Sequence, residues 1–272
     1  MDSALVLAFL VTLGAGLATG IGSTIAFLSK TTNKSFFALS MGFSAGVMIY
    51  LSFAEILPKA TFYINSEVSD VQASALAAGA LIAGMILMAI IDAFVPSGAN
   101  PHENTDVELM NTGEISQVPE QKRLMQIGVF VALAIAIHNF PEGLATFLLV
   151  LDDPQVGIAL AIAVAMHNIP EGIAVSVPVY YATKSKIKAF RLSFLSGLAE
   201  PAGAVIGYLL LAQFLSDFLL GIIFAMVAGV MVFLAIDTLL PTARNSSRGH
   251  LTVYGVIAGM SVMALSLVLL RL

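Results

Sequence analysis

An all-α membrane protein of eight transmembrane helices is the fold this sequence predicts, on three observations. Of its 272 residues, 58% are hydrophobic and 11% charged, where a soluble domain carries about 25% charged residues. Apolar runs of about 20 residues, enough to cross a bilayer as a helix, recur along the whole chain. Lysine and arginine fall almost entirely into alternate loops, as they do when positive charge is held on one side of a membrane. Length therefore counts helices rather than soluble units, and residues 1–272 are read as a single domain embedded in the lipid bilayer.

The spans are drawn at about 4–28, 36–58, 71–95, 124–150, 156–182, 190–214, 218–240 and 251–270. The first has Asp2 and no basic residue before Lys30, so it lacks a signal peptide's basic start and is read as a retained helix. Its Gly16 and Gly20, with Gly42 and Gly46 of the second span and Gly203 and Gly207 of the sixth, permit close helix contact where lipid offers no hydrophobic drive. Between spans three and four runs the one long polar stretch, about 96–123, expected to be a mobile cytoplasmic loop; it holds Glu103, Asp106, Glu108, Glu114, Glu120 and His102. One side receives Lys30, Lys34, Lys122, Arg123, Lys184, Lys186, Lys188, Arg191, Arg244 and Arg248; the other receives Lys59 and Arg271. The basic side is the cytoplasm, so both termini are expected outside. There is no cysteine, hence no disulfide and no thiolate ligand. No basic stretch interleaved with aromatics offers a nucleic-acid surface.

The sequence is organised around a doublet. Residues 134–143 read AIAIHNFPEG and residues 163–172 read AVAMHNIPEG. On a helix each copy sets His138 above Glu142, or His167 above Glu171, on one face, with Asn139 or Asn168 beside them. Pro141 and Pro170 have no N–H to give and crowd the carbonyl four residues back, which frees the carbonyls of Ile137 and Met166. Ionisable groups at mid-membrane are costly and mark substrate paths. The alternative, two kinked helices whose polar groups satisfy one another, suits a single copy better than a matched pair. Imidazoles, carboxylates and amides converging without sulfur suit Zn²⁺ or Fe²⁺, with Mn²⁺, Co²⁺ and Cd²⁺ also admissible.

Glu200, in Gly197-Leu198-Ala199-Glu200-Pro201, supplies a third acid beside another helix-breaking proline. Glu55 and Asp237, near opposite membrane faces, are read as capture and release points, or as interfacial carboxylates that snorkel. Met48, two turns before Glu55, is either a thioether ligand or packing. Asp92 is read as an interfacial anchor, and His102 and His250 as loop residues. A weaker echo, Glu55–Ala60 (EILPKA) against Thr238–Ala243 (TLLPTA), joins the ends of spans two and seven. With the doublet on antiparallel helices, it predicts an inverted repeat of three, two and three helices.

These residues resemble the ZIP family (Zrt-, Irt-like proteins) of divalent-metal transporters, bacterial members above all. The likeness extends to Ser52–Pro58, Ala145–Phe147, Pro178–Tyr180 and Met260–Met263. It implies import across the inner membrane of a bacterial cell, from periplasm to cytoplasm, with the metal as cargo, no cofactor, and a homodimer admissible. It implies a binuclear centre: one metal held by His138, Glu142, His167 and Glu171 with Met48, the other by Asn139, Glu142, Asn168, Glu171 and Glu200. It also implies that helices one, four, five and six move against two, three, seven and eight. Two departures stand out: Thr238 follows Asp237 where the family often has a second acid, and the long loop keeps only His102 where the family is often His-rich. No Gly-x-x-x-x-Gly-Lys run is present, so direct ATP driving is not expected. An intramembrane metal hydrolase would require a His-Glu-x-x-His helix or a water-activating base on an open metal, and neither occurs. An exporter of the same build remains open, because sequence gives orientation but not direction.

Overall fold

A computed structural model describes residues 3–28, 34–93, 120–214, 216–246 and 249–270. The described residues contain eight helices long and apolar enough to cross a membrane. They are α1 (Ser3–Leu28), α2 (Lys34–Leu51, continued through Leu57–Ile64), α3 (Asp70–Ala93), α4 (Glu120–Asp152), α5 (Pro154–Thr183), α6 (Lys186–Gly197 and Ala199–Leu211), α7 (Asp217–Leu234, continued through Leu240–Ser246) and α8 (Leu251–Leu270). Of the 96–123 stretch only the last four residues are described, as the start of α4; the rest, His102 included, lies outside the described residues.

Local chemistry explains most helix ends. Ser69 starts α3, its N–H and hydroxyl both donating to the Gln72 side-chain oxygen, the Gln half of a capping box. Asp153 alone joins α4 to α5, and its Oδ1 accepts from the N–H groups of Gln155 and Val156 with Pro154 as the first helical residue. Lys184 closes α5 in the left-handed region at φ 53°. Ser185 then caps α6 through the Lys188 N–H, so this helix begins four residues before the expected 190, and Ser216 caps α7 through that of Leu219.

Two ends differ from expectation. Spans two and seven were expected to stop near Pro58 and Leu240, yet α2 runs on to Ile64 and α7 to Ser246. Each passes its proline through one π-helical turn, Ser52–Ile56 and Ala235–Leu239, closed by Leu57 N–H to Ser52 O and Leu240 N–H to Ala235 O. The extra residue moves the carbonyl that the proline ring would strike, so the helix survives. Both turns begin six residues before their proline and contain the acids Glu55 and Asp237.

Packing divides the helices into two groups. In one, α1, α4, α5 and α6 pack on each other; in the other, α2 packs on α8, and α7 on α3 and α2. The groups meet chiefly where α2 lies against α5, with smaller contacts of α7 to α4 and α8 to α5. Small residues set these crossings. A Cβ on Gly42 or Gly46 would meet the backbone carbonyls of Thr252 or Val256 of α8 at 2.4 and 2.2 Å. A Cβ on Gly16 would meet that of Gly197 of α6 at 2.6 Å. The outer surfaces carry exposed Ile82, Ile86, Ile90, Leu265 and Leu269, apolar as lipid requires.

Candidate metal centre

The doublet lies on α4 and α5, which the single residue Asp153 folds into an antiparallel hairpin. Both helices continue unbroken through Pro141 and Pro170. At 5% or less of exposure, His138, Asn139, Glu142, His167, Asn168, Glu171 and Glu200 are all buried. Antiparallel register puts the histidine of each helix opposite the glutamate of the other. His138 Nε2 lies 3.2 Å from Glu171 Oε1, and His167 Nε2 lies 3.2 and 3.3 Å from the two Glu142 oxygens.

The amides tie this pair of helices to their neighbours. Asn168 Nδ2 donates to the Ala15 carbonyl of α1 at 2.9 Å and also to Glu200 Oε1 of α6. Asn139 Nδ2 donates to the Ser196 carbonyl at 3.3 Å. Two residues further on α6 breaks at Leu198, where Pro201 offers the Gly197 carbonyl no hydrogen. Glu200 thus sits in the first turn of the second half of α6, aimed at α5. Gly143 and Gly172, which end the two motifs, let backbones touch: a Cβ there would meet Glu200 O at 2.1 Å and Thr19 O at 2.0 Å. Ser23 of α1 and Ser193 of α6 both donate to the Gly172 carbonyl, at 3.4 and 3.2 Å.

What remains is a surplus of acceptors. Asn139 Oδ1, Asn168 Oδ1, Glu171 Oε2 and Glu200 Oε2 are buried and find no hydrogen-bond donor among the described residues. Unsatisfied oxygens in a medium of low dielectric are costly, and carboxylates more so. A divalent cation offsets that cost, and the donor set of imidazole, carboxylate and amide suits one of the zinc type. As they stand the side chains form crossed pairs rather than a cage: among the described residues no three His, Asp or Glu close on a point that could hold a metal.

The other sequence-predicted residues lie elsewhere. Met48 is fully buried on α2, the helix that meets α5. Glu55 and Asp237 are half-buried in the two π-helical turns. Asp92 lies in the last turn of α3, half-buried, and His250 is exposed just before α8, its ring 6.1 Å from that of Tyr254. Sequence reasoning missed the Ser196 and Ala15 carbonyls as partners of the two amides, since backbone partners on other helices leave no residue-type signal.

A helical membrane bundle with buried ionisable groups meeting across two of its helices defines a transporter class, and the chain belongs to the ZIP zinc transporter family. The family model described as "ZIP Zinc transporter" matches residues 96–267. The chain is 57% identical to the zinc transporter ZupT of Oceanobacillus iheyensis over 270 residues, which cover 99% of this chain and 100% of that protein. It is 54% identical to that of Lysinibacillus sphaericus over 99% of this chain and 100% of the relative, and 52% identical to that of Streptococcus mutans over 99% of each. Members of this family are membrane transporters and not enzymes, and the metal is cargo rather than cofactor.

Proposed function

We propose that the protein imports divalent transition-metal ions, Zn²⁺ foremost, from the periplasmic side to the cytoplasm through a binuclear centre between α4 and α5. Fe²⁺, Mn²⁺, Co²⁺ and Cd²⁺ fit the same donors. The observation that carries this reading is the pair of crossed His–Glu contacts flanked by four buried oxygens without donors. An arriving cation replaces each imidazole–carboxylate contact with two metal–ligand bonds. His138, Glu142, His167 and Glu171 hold one ion, with Met48 approaching from α2. Asn139, Asn168 and Glu200 hold the second, with Glu142 and Glu171 bridging.

Glu55 and Asp237 mark the outer and inner ends of the path, each carried in its π-helical turn. The packing of α1, α4, α5 and α6 as one group and α2, α3, α7 and α8 as another supports a rigid-body movement of the first along the second. The echo between α2 and α7 supports the inverted three, two and three repeat, since both helices of the echo carry the same turn at the same distance from proline. With the Lys184–Arg191 end in the cytoplasm and both termini outside, an inside-negative potential draws a cation inward by about 2.3 kcal/mol per charge per 100 mV.

The direct experiment is uptake of radioactive zinc into proteoliposomes from the outer face. Zinc should accumulate without ATP, and accumulation only when zinc starts on the cytoplasmic face would make the protein an exporter. Two further outcomes are expected in the same assay. Glu200→Gln, which keeps the shape but removes a charge, should raise the half-saturating zinc concentration about tenfold, the scale on which ligand partners tune metal sites. An unchanged saturation curve would remove Glu200 from the centre. Metal must displace protons from imidazole and carboxylate, so apparent zinc affinity should fall as the outer pH is lowered. Affinity that rises or stays level on acidification would contradict ligation by these groups.

A further inference from the structure

We propose that Lys59 and Tyr63 of α2, with Asp152 and Asp153 at the tip of the α4–α5 hairpin, form a clasp that holds the two helix groups together at one end of the path and must open during each transport cycle. The clasp rests on the transport reading above, but its geometry stands on its own. Lys59 Nζ lies 3.6 Å from Asp152 Oδ2 and 3.6 Å from Asp153 Oδ2. The Tyr63 hydroxyl donates to the same Asp152 oxygen. Lys59 also sits 5.9 Å over the Tyr63 ring, so cation, ring and carboxylates form one cluster.

Each side of the cluster is anchored in its own group. Tyr63 is 7% exposed and its ring meets Phe224 of α7 edge-on at 5.9 Å. Asp153 spends its other oxygen capping α5, and its N–H bonds Leu149 O, so the hairpin tip cannot yield without fraying a helix. Lys59 is the one basic residue that the sequence sets on the sparse side between the termini. Its side chain is only 16% exposed, against 36% and 43% for the two aspartates, so the contact is partly shielded from water. The cluster lies across the membrane from Lys184, Lys186 and Lys188, because α5 runs from Asp153 at one end to Lys184 at the other. A sliding of α1, α4, α5 and α6 along the other group displaces the hairpin tip from the end of α2, and these contacts are then lost together. The clasp therefore favours the arrangement in which this end is closed, and its strength sets how often that end opens.

The chain has no cysteine of its own, so a single pair can be introduced for distance measurement in lipid nanodiscs: Phe62→Cys, on an exposed position of α2, with Gln155→Cys at the start of α5. Pulsed electron–electron double resonance on spin labels should give a dominant short distance in this parent. Adding Lys59→Gln and Tyr63→Phe should enlarge a longer-distance population about tenfold, the scale of losing hydrogen bonds to a charged group. Lys59→Arg, which keeps the cation, should leave the distribution as it is. A Lys59→Gln/Tyr63→Phe distribution that superimposes on the parent's overturns the clasp, as does one that Lys59→Arg reproduces. If the double variant does not fold, Asp152→Asn is measured with the same expectation and the same refuting result. Zinc uptake by the parent is read separately: its absence would remove the transport reading, whereas the distances judge the clasp alone.

Discussion

Zinc uptake by proteoliposomes should be lost when Glu142 or Glu171 is replaced by Ala, with the purified variants still folded and monodisperse. Each glutamate is the partner of the opposite helix's imidazole and the group proposed to bridge two ions. Truncation leaves His138 or His167 facing its neighbours without the carboxylate and lowers the negative charge of the centre. Removing an outer partner of a metal ligand costs about 10–100-fold, so loss of a bridging ligand should exceed about a hundredfold. Folding should survive, because the hairpin is held by Asp153, the glycine crossings and the amide contacts, none of which the glutamates supply. Normal uptake by a folded Glu142→Ala or Glu171→Ala variant would remove the doublet from the path.

Gly172→Val should unfold the transport bundle locally rather than merely slow it. A Cβ at this position would lie 2.0 Å from the Thr19 carbonyl and 3.2 Å from the Ser23 N–H nitrogen, both backbone atoms. Backbone cannot rotate out of the way as a flexible side chain does, so α1 must withdraw from α5. That withdrawal also strains Asn168 on the Ala15 carbonyl and Ser23 on the Gly172 carbonyl. Overpacking costs about 1–3 kcal/mol where neighbours can give, and more where they cannot. The unfolding midpoint in detergent should therefore drop by about 5–10 °C, with uptake falling alongside. Gly79→Ala is the control: a Cβ there meets nothing within 4 Å among the described residues, and helix propensity favours alanine. If Gly79→Ala destabilised as much as Gly172→Val, close approach of α1 and α5 would not be the reason for the glycine.

The helices were legible because lipid imposes one rule on all of them: twenty apolar residues with every backbone group bonded internally. The doublet was legible because a matched pair of His-Asn-x-Pro-Glu-Gly runs inside apolar helices fits mutual satisfaction of polar groups less well than a shared site. Prolines misled. Pro58 and Leu240-Pro241 read as helix ends, yet a π-helical turn absorbs each ring and carries the helix on, and whether it does depends on neighbouring helices that no local pattern reveals. Pairing was also hidden. Spacing puts His138 and Glu142 on one face, but that each glutamate meets the other helix's imidazole depends on register, which the single residue Asp153 sets. Lys59 was legible only as a marker of orientation, because its aspartates lie over ninety residues away.

The most direct measurement is X-ray absorption at the zinc edge on the purified, zinc-loaded protein. The account predicts a first shell of nitrogen and oxygen with imidazole scattering from two rings, no sulfur contribution larger than a single thioether, and imidazole scattering reduced by half in His138→Ala and again in His167→Ala. Zinc bound with a shell that neither substitution alters, or no zinc retained by either face of the protein, would contradict the claim that these two helices hold the transported ion.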